Sequence, residues 1–500
     1  RETESTEPPM KNPKAEKSTC KPRQRRSLRK GQNLKSKVAL PGLAILLLTA
    51  ACGCASLDKD DSTWQTQAYY DKLAQQTAQS LPNSAPLLLE DCVRIALENN
   101  LAVQTSEINL RIATLERQIA FANFLPALEF NFTYTAWDHQ PQSQMLGPFS
   151  VPMHDQSIRD AAWRIHMPIL APATWFLYAM HARAAEMSGF VTEYTRQMIT
   201  LQVAIQYFHC LALQESEKAM VTQIKAAQEL RKELAAFREE GLVSQWQADQ
   251  ADALVLARRT ALHQAQRARR QAEAELLGTM GLSPLAQISL APETPLRSPT
   301  GALEDLIFQA LTANPQLHIA DQNVAIQRQR AKIAIADFLP QLLGFASRTN
   351  TSNSLIKYRN YWIGGLMGVL AVFDGFANVH QYQAAREQVK KASLTREDAC
   401  LTVILQTIKA YLSLENAHEN LTLAKKSLTV AARRYSETAA RWREGLISPS
   451  DRLNALAEKH CAQTILANAR FHQQVSTAAL LNVLGAGYAG YEVPEYEEEL

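Results

Sequence analysis

Phe124-Leu125-Pro126-Ala127-Leu128-Glu129-Phe130-Asn131-Phe132-Thr133-Tyr134-Thr135-Ala136 is the stretch that decides the fold. Before it, apolar residues recur at helical spacing. Pro126 has no amide proton to donate and disfavours helix in the residue before it, so the helix must end at this corner. Beyond the proline, apolar and polar side chains alternate strictly, which describes a strand with one greasy and one wet face. The same corner recurs as Phe338-Leu339-Pro340.

The corner belongs to a longer repeat. Leu89-Glu90-Asp91 returns as Leu303-Glu304-Asp305, Ala96-Leu97 as Ala310-Leu311, and Asn100 as Asn314, all at the offset that relates the two corners. Further along, Glu240-Gly241-Leu242-Val243-Ser244 returns as Glu444-Gly445-Leu446-Ile447-Ser448, and Leu276-Leu277 with Gly281 as Leu480-Leu481 with Gly485. There the offset is shorter by ten, which places ten extra residues of the first copy in the loop Asp138 to Ser157. Each copy reads helix, strand, strand, very long helix, tip, helix. The first helices are predicted over about Leu89 to Asn123 and Ala302 to Asp337.

The expected strands are 127–137 and 162–170 in the first copy, and 341–351 and 358–372 in the second, where the alternation is weaker. Tyr358, Tyr361 and Trp362 cluster near one strand end, as aromatics do at a bilayer interface. Strands of ~9–11 residues suit a tilted crossing of a bilayer. Four of them cannot close a barrel, and no open sheet edge persists in hydrocarbon. Copies of the chain must therefore share one barrel: two copies make one roughly filled by its own side chains, and three make a twelve-stranded barrel with a lumen. A soluble sheet packed on helices is the competing reading of the pattern.

From about Ala173 to Glu239 there is no proline, and Leu201, Ile205, Phe208 and Ala212 recur at three and four. Its counterpart, about Phe376 to Glu444, carries Leu421, Ala424, Leu428, Ala431, Tyr435 and Trp442 on one stripe. Such stripes predict coiled-coil packing of helices roughly 100 Å long. Neither helix is apolar enough to span a membrane. Gly241 and Gly445 end the long helices in the way a left-handed closing residue does, and Ser244 and Ser448 suit N-caps.

Composition excludes other classes. The formal net charge of +3 is concentrated in the first 37 residues, which hold 12 of the 52 Lys and Arg and only 4 of the 49 acids. That leader alone is +8 and leaves the remainder at about −5, so no basic surface for nucleic acid is expected. A basic stretch, an apolar stretch from Val38 to Ala51 and small residues before Cys52 form an export signal. The apolar part is too short to cross a bilayer. The residues before Cys52 resemble a lipobox, and that resemblance implies cleavage after residue 51, leaving a segment 52–86; a plain signal peptide cut near Ala51 or Ala55 is the alternative. The sequence opens on Arg1, and Met10 is a candidate start. Cys92, Cys210, Cys400 and Cys461 stand singly, which argues against a disulfide framework or a zinc site and for small buried apolar residues.

Duplicated helix-strand-strand-helix units over about Leu87 to Tyr488, Phe-Leu-Pro corners, Gly-Leu-Val/Ile-Ser tips and Leu48-Thr49-Ala50-Ala51-Cys52, which is similar to a lipobox, together resemble the outer membrane factor family. The resemblance implies a mainly α fold with a small β part: a long α-helical coiled-coil barrel below a transmembrane β-barrel shared between three subunits. It implies repeats over 87–300 and 301–488, before an acidic tail 489–500. By the same resemblance the chain is a passive outer-membrane exit duct with a tunnel in the periplasm, fed with drugs, metals or other small molecules. Its partners would be two further copies of itself, a periplasmic adaptor (membrane fusion protein), an inner-membrane pump and outer-membrane lipid, with no nucleic acid. Cys52 would carry a covalent lipid, with Cys54 as a weaker candidate, and no other cofactor is implied. Gly241, Leu242, Val243, Ser244, Gly445, Leu446, Ile447 and Ser448 would receive the adaptor. Asp451 and Asn454 would line the periplasmic aperture, and Pro126 and Pro340 would be structural corners.

Enzymatic motifs are not found. Gly485-Ala486-Gly487-Tyr488-Ala489-Gly490 matches GxGxxG but follows a helix, with no βαβ unit. Two other functions compete: a type I protein-secretion channel, and a non-pore periplasmic coiled-coil adaptor or scaffold, which would lack paired strands at matching positions.

Overall fold

The computed structural model describes residues 62–81, 86–144, 150–291 and 296–485. The chain divides into two units, residues 1–67 and 68–500. Of the first, only residues 62–67 are described, at the start of α1 (Ser62–Ser80). The predicted leader, Cys52, Cys54 and the acidic tail lie outside the described residues.

The first copy continues with α2 (Leu89–Asn99), α3 (Leu101–Ala122), β1 (Ala127–Ala136), a short hairpin of β2 (Gln142–Gln144) and β3 (Ser150–Pro152), β4 (Ser157–Leu170), α4 (Pro172–Glu239) and α5 (Gln245–Thr279). The second runs α6 (Leu303–Ala313), α7 (Pro315–Ala336), β5 (Gln341–Thr351), β6 (Asn360–Val369), α8 (Ala377–Arg443) and α9 (Pro449–Val483). The hairpin β2–β3 falls in the predicted insertion of the first copy.

Each first helix is broken, where the sequence predicted one continuous element. Asn100 takes extended backbone angles, and its side-chain oxygen accepts from the amides of Ala102 and Val103. Its Nδ2 donates to the Thr279 carbonyl at 2.8 Å, closing the end of α5. Asn314 does the same, accepting from Gln316 and donating to the Val483 carbonyl at 3.1 Å. Gly281 and Gly485 adopt φ of +70° and +66° against these breaks, and a Cβ there would stand 2.5 Å from the Asn99 oxygen or 2.6 Å from the Ala313 oxygen. The repeated Asn and Gly are therefore one joint, made twice: an end-capping amide fits against a helix terminus that only glycine can bring close enough.

At the corners the helices tighten before they stop. Phe124 and Leu125 donate to carbonyls three residues back, as do Phe338 and Leu339. After each proline the chain enters a four-stranded antiparallel sheet in the order β1-β4-β5-β6. The helices follow suit: α3 packs on α4, α4 on α7 and α7 on α8. β4 starts five residues before its predicted beginning, because Ile158 is buried and the backbone of Arg159 exchanges hydrogen bonds with Ser352. β6 is shorter than predicted at both ends. Its last pair is Gln341 with Val369, since Pro340 offers no amide beyond, and Arg359 is taken up in the turn by Thr351.

The joints between strand and long helix differ. One residue, Ala171, separates β4 from α4, with Pro172 as the first helical residue. Residues 370–376 separate β6 from α8, and Gly375 and Phe376 both adopt left-handed angles, φ +70° and +69°.

The long helices α4 and α8 turn back into α5 and α9, and α9 also packs on α4. The main core joins α2, α4 and α5 through Val93, Ile95, Val203, Phe208, Leu276 and Leu277. Tyr207, fully buried there, donates its hydroxyl to the Ala291 carbonyl at 2.7 Å, with the Leu87 carbonyl at 3.2 Å. A second core, around Leu306, Val403, Leu414 and Leu480, repeats the arrangement in the other half. Of the four cysteines expected to be buried, Cys92 and Cys210 are; Cys400 is half-buried and Cys461 exposed. Helical periodicity alone did not separate those faces. Burial with Glu273 and Glu275 nearby pushes the Cys210 thiol up to about 12.

Candidate functional site: hairpin tips and open sheet

The tips repeat at atomic detail. Gly241 and Gly445 hold φ of +74° and +73°, with open space around a would-be Cβ, so glycine is needed for the angle and not for room. The following leucine amide reaches back to the helix, Leu242 to the Phe237 carbonyl at 2.8 Å and Leu446 to that of Arg441 at 3.0 Å, the closure of a Schellman motif. Leu242 and Leu446 are about two-thirds exposed, whereas Val243 and Ile447 turn partly inward. Each tip thus presents one bare leucine.

Ser244 and Ser448 cap the returning helices. The Ser244 amide donates to Gln247 Oε1 at 3.0 Å. The Ser448 hydroxyl donates to Asp451 Oδ2 at 2.8 Å, and the Asp451 amide donates back to that hydroxyl oxygen at 3.3 Å, which makes Asp451 the third-position partner of a capping box. Asp451 and Asn454 also line one groove of about 610 Å³ with Arg434, Glu437, Arg441 and Glu458. Arg434 is tied to Glu458 at 2.7 Å.

A cluster that the sequence did not single out as a unit joins the two hairpins just above the tips. Arg452 donates to Glu233 of α4 at 2.7 Å and lies 4.4 Å from the Trp442 ring centroid. Phe237 meets Trp442 edge-on at 5.9 Å. The partner of Arg452 lies 219 residues away. Adjacency in the sequence carries no signal for such a pair.

The sheet has two unlike faces. Leu128, Phe130, Phe132 and Tyr134 share one with Trp163, Ile165, Trp362 and Leu366, all exposed. Glu129, Asp160, Arg164 and His166 lie on the other. β1 and β6 each have one unpaired edge. The helical layer below ends in the same way, with Ile108, Ile112, Leu115 and Ile119 exposed along α3 and Leu394, Leu401 and Leu405 along α8. Among the described residues no group of three or more His, Cys, Asp or Glu comes together to hold a metal, and no helix is long and apolar enough to cross a membrane.

An unclosed antiparallel sheet with one apolar face, continuing strand by strand into long paired helices, is the fold of outer-membrane channels. It is shared by the outer-membrane channel OprN, with a TM-score of 0.70 at 18% identity over 80% of this chain and 90% of that one. The outer membrane protein VceC of Vibrio cholerae has the same fold, with a TM-score of 0.70 at 15% identity over 80% of this chain and 96% of that one. Residues 306–486, most of the second repeat, match the family of outer membrane efflux proteins, so the resemblance read from the repeated corners is present in sequence as well as in fold. Protein CyaE of Bordetella pertussis is 23% identical over 412 residues, 81% of this chain and 85% of its own length.

Proposed function

We propose that the chain is one subunit of a trimeric outer-membrane exit duct, through which small molecules such as drugs or metals pass after delivery by an inner-membrane pump and a periplasmic adaptor. The observation that carries this reading is the pair of open edges, β1 with α3 on one side and β6 with α8 on the other. In hydrocarbon an unpaired strand edge costs several kcal/mol per unsatisfied group, so β1 must meet the β6 of another copy. Three copies make a closed barrel with a lumen. The apolar stripes on α3 and α8 then pack between copies below it. The bare leucines Leu242 and Leu446 are suited to an adaptor hairpin, the polar groove at Asp451 and Asn454 to the aperture, and Cys52 to a lipid anchor. A periplasmic scaffold with no pore leaves the exposed apolar sheet face without a role.

The protein reconstituted in planar bilayers tests this. Discrete conductance steps from a species of three subunits are expected; a monomer that inserts without conductance at any voltage or pH overturns the reading.

A further inference from the structure

The acids of the sheet are confined to one face, which they share with Arg164. Both carboxylates of the four strands, Glu129 and Asp160, lie on the polar face. On the apolar face the charged residues are Arg159 and Arg348, and both are basic. The two arginines of the apolar face also lie in its loop half. Tyr134, Arg159, Arg348 and Trp362, one from each strand in order, all lie two or three residues inside the loop end of their strands. The helix end of the same face carries Leu128, Met167 and Leu366 at comparable positions and no charge.

Arg159 stands opposite Tyr134, and Arg348, four residues deeper along the register, stands between Trp163 and Trp362 with its side chain reaching back toward the loops. The Arg348 guanidinium lies 5.6 Å from the Trp362 centroid, and its Nε donates to Asn360 Oδ1 at 3.4 Å, on the loop side. Among the described residues no carboxylate lies within ion-pair distance of Arg348 or Arg159, while the nearby loop acid Asp155 is engaged by the Ser354 amide at 2.5 Å and hydroxyl at 2.6 Å. An arginine on a lipid-facing strand is costly at mid-bilayer and nearly free at the interface, where it reaches to the headgroups. Its planar fork matches phosphate oxygens, and the ring beside it sits at headgroup level.

We propose that Arg159 and Arg348 form a binding site for the phosphate of a lipid headgroup in the leaflet nearest the β1–β4 and β5–β6 loops. The site rests on the membrane-spanning reading above. It fixes the depth of the barrel from the loop side by recognition of anionic lipid, in addition to hydrophobic matching.

The test is native mass spectrometry of the full chain released from nanodiscs of phosphatidylcholine containing a minor fraction of lipid A or phosphatidylglycerol. Wild type is expected to retain anionic lipid in preference to phosphatidylcholine. Retention should fall roughly tenfold or more in Arg159→Gln/Arg348→Gln, stay in Arg159→Lys/Arg348→Lys, and stay in Arg164→Gln on the opposite face. Equal retention of both lipid types by wild type, or undiminished retention in the double Gln variant, overturns the site. Displacement of the lipid by inorganic phosphate at equal concentration also overturns it, as that marks a site for a free anion. A chain that does not enter nanodiscs at all fails the exit-duct reading instead, and the double Lys variant separates loss of binding from loss of folding.

Discussion

Arg452 and Glu233 join the two helical hairpins near their tips, with the guanidinium 2.7 Å from the carboxylate and laid over Trp442. The arginine side chain is only 17% exposed and the glutamate 35%, so the pair is screened less than the many surface pairs elsewhere on the helices. A double-mutant cycle of Arg452→Gln and Glu233→Gln should give a coupling of about 1–2 kcal/mol. Hydrogen exchange in the last turns of α4 and α8 should accelerate in either single variant. A coupling near zero would show that the stacked ring, and not the charge, holds the tips.

Gly281 and Gly241 share nearly the same left-handed angle but differ in surroundings. Gly281→Ala forces a methyl group onto the Asn99 carbonyl and should cost several kcal/mol, enough to abolish accumulation of folded protein. Gly241→Ala meets open space and should cost only about 1 kcal/mol. Thermal denaturation of the two variants side by side checks the contrast, and Gly485→Ala should follow Gly281→Ala.

Asp451 has two separable roles. Asp451→Ala removes both the charge and the reciprocal bonds with Ser448, and should lower stability by roughly 1 kcal/mol through fraying of α9. Asp451→Asn keeps an acceptor for the Ser448 hydroxyl and deletes only the charge. If the aperture reading holds, both variants change cation conductance in planar bilayers, whereas only Asp451→Ala changes the melting temperature appreciably. Identical conductance in wild type and Asp451→Asn would leave Asp451 a cap alone.

His460 on α9 is buried, and burial together with the positive charges of Arg258 and Lys459 pushes its pKa down to about 4. The unfolded chain binds the proton near pH 6.5, so between roughly 6.5 and 4 the unfolded state holds more protons and stability falls as pH falls. The melting temperature should decline over that window and decline less in His460→Gln. A parallel decline in both proteins would assign the acid sensitivity to other groups.

The repeated landmarks carried the fold because each marks a backbone event that side chains alone dictate: a proline that stops a helix, a glycine that turns one, a serine that caps the next. The breaks at Asn100 and Asn314 were hidden for the opposite reason. Apolar periodicity runs straight through them, and the local signals, a capping Asn at each and Pro315 after Asn314, are completed only by a bond to the carbonyl of Thr279 or Val483, far away in the chain. At the tips, glycine and serine announced the turn, but the tie between Arg452 and Glu233 depends on how two hairpins lie together. The weak alternation after Pro340 has a structural source too. Leu343, Phe345, Ile363 and Met367 put apolar side chains on the same face as Glu129 and Arg164, so neither face of β5 and β6 is uniformly polar.

The unequal joints between strands and long helices bear on how the molecule moves. A single residue between β4 and α4 passes torque directly, so any rotation of that helix drags the sheet with it. Residues 370–376 hang α8 from β6 on a longer suspension, with Gly375 and Phe376 at its foot in a conformation that a side chain as large as phenylalanine adopts at a cost. One hairpin is thus bolted to the sheet and the other slung from it, and twisting of the helical layer falls first on the pair α8 and α9.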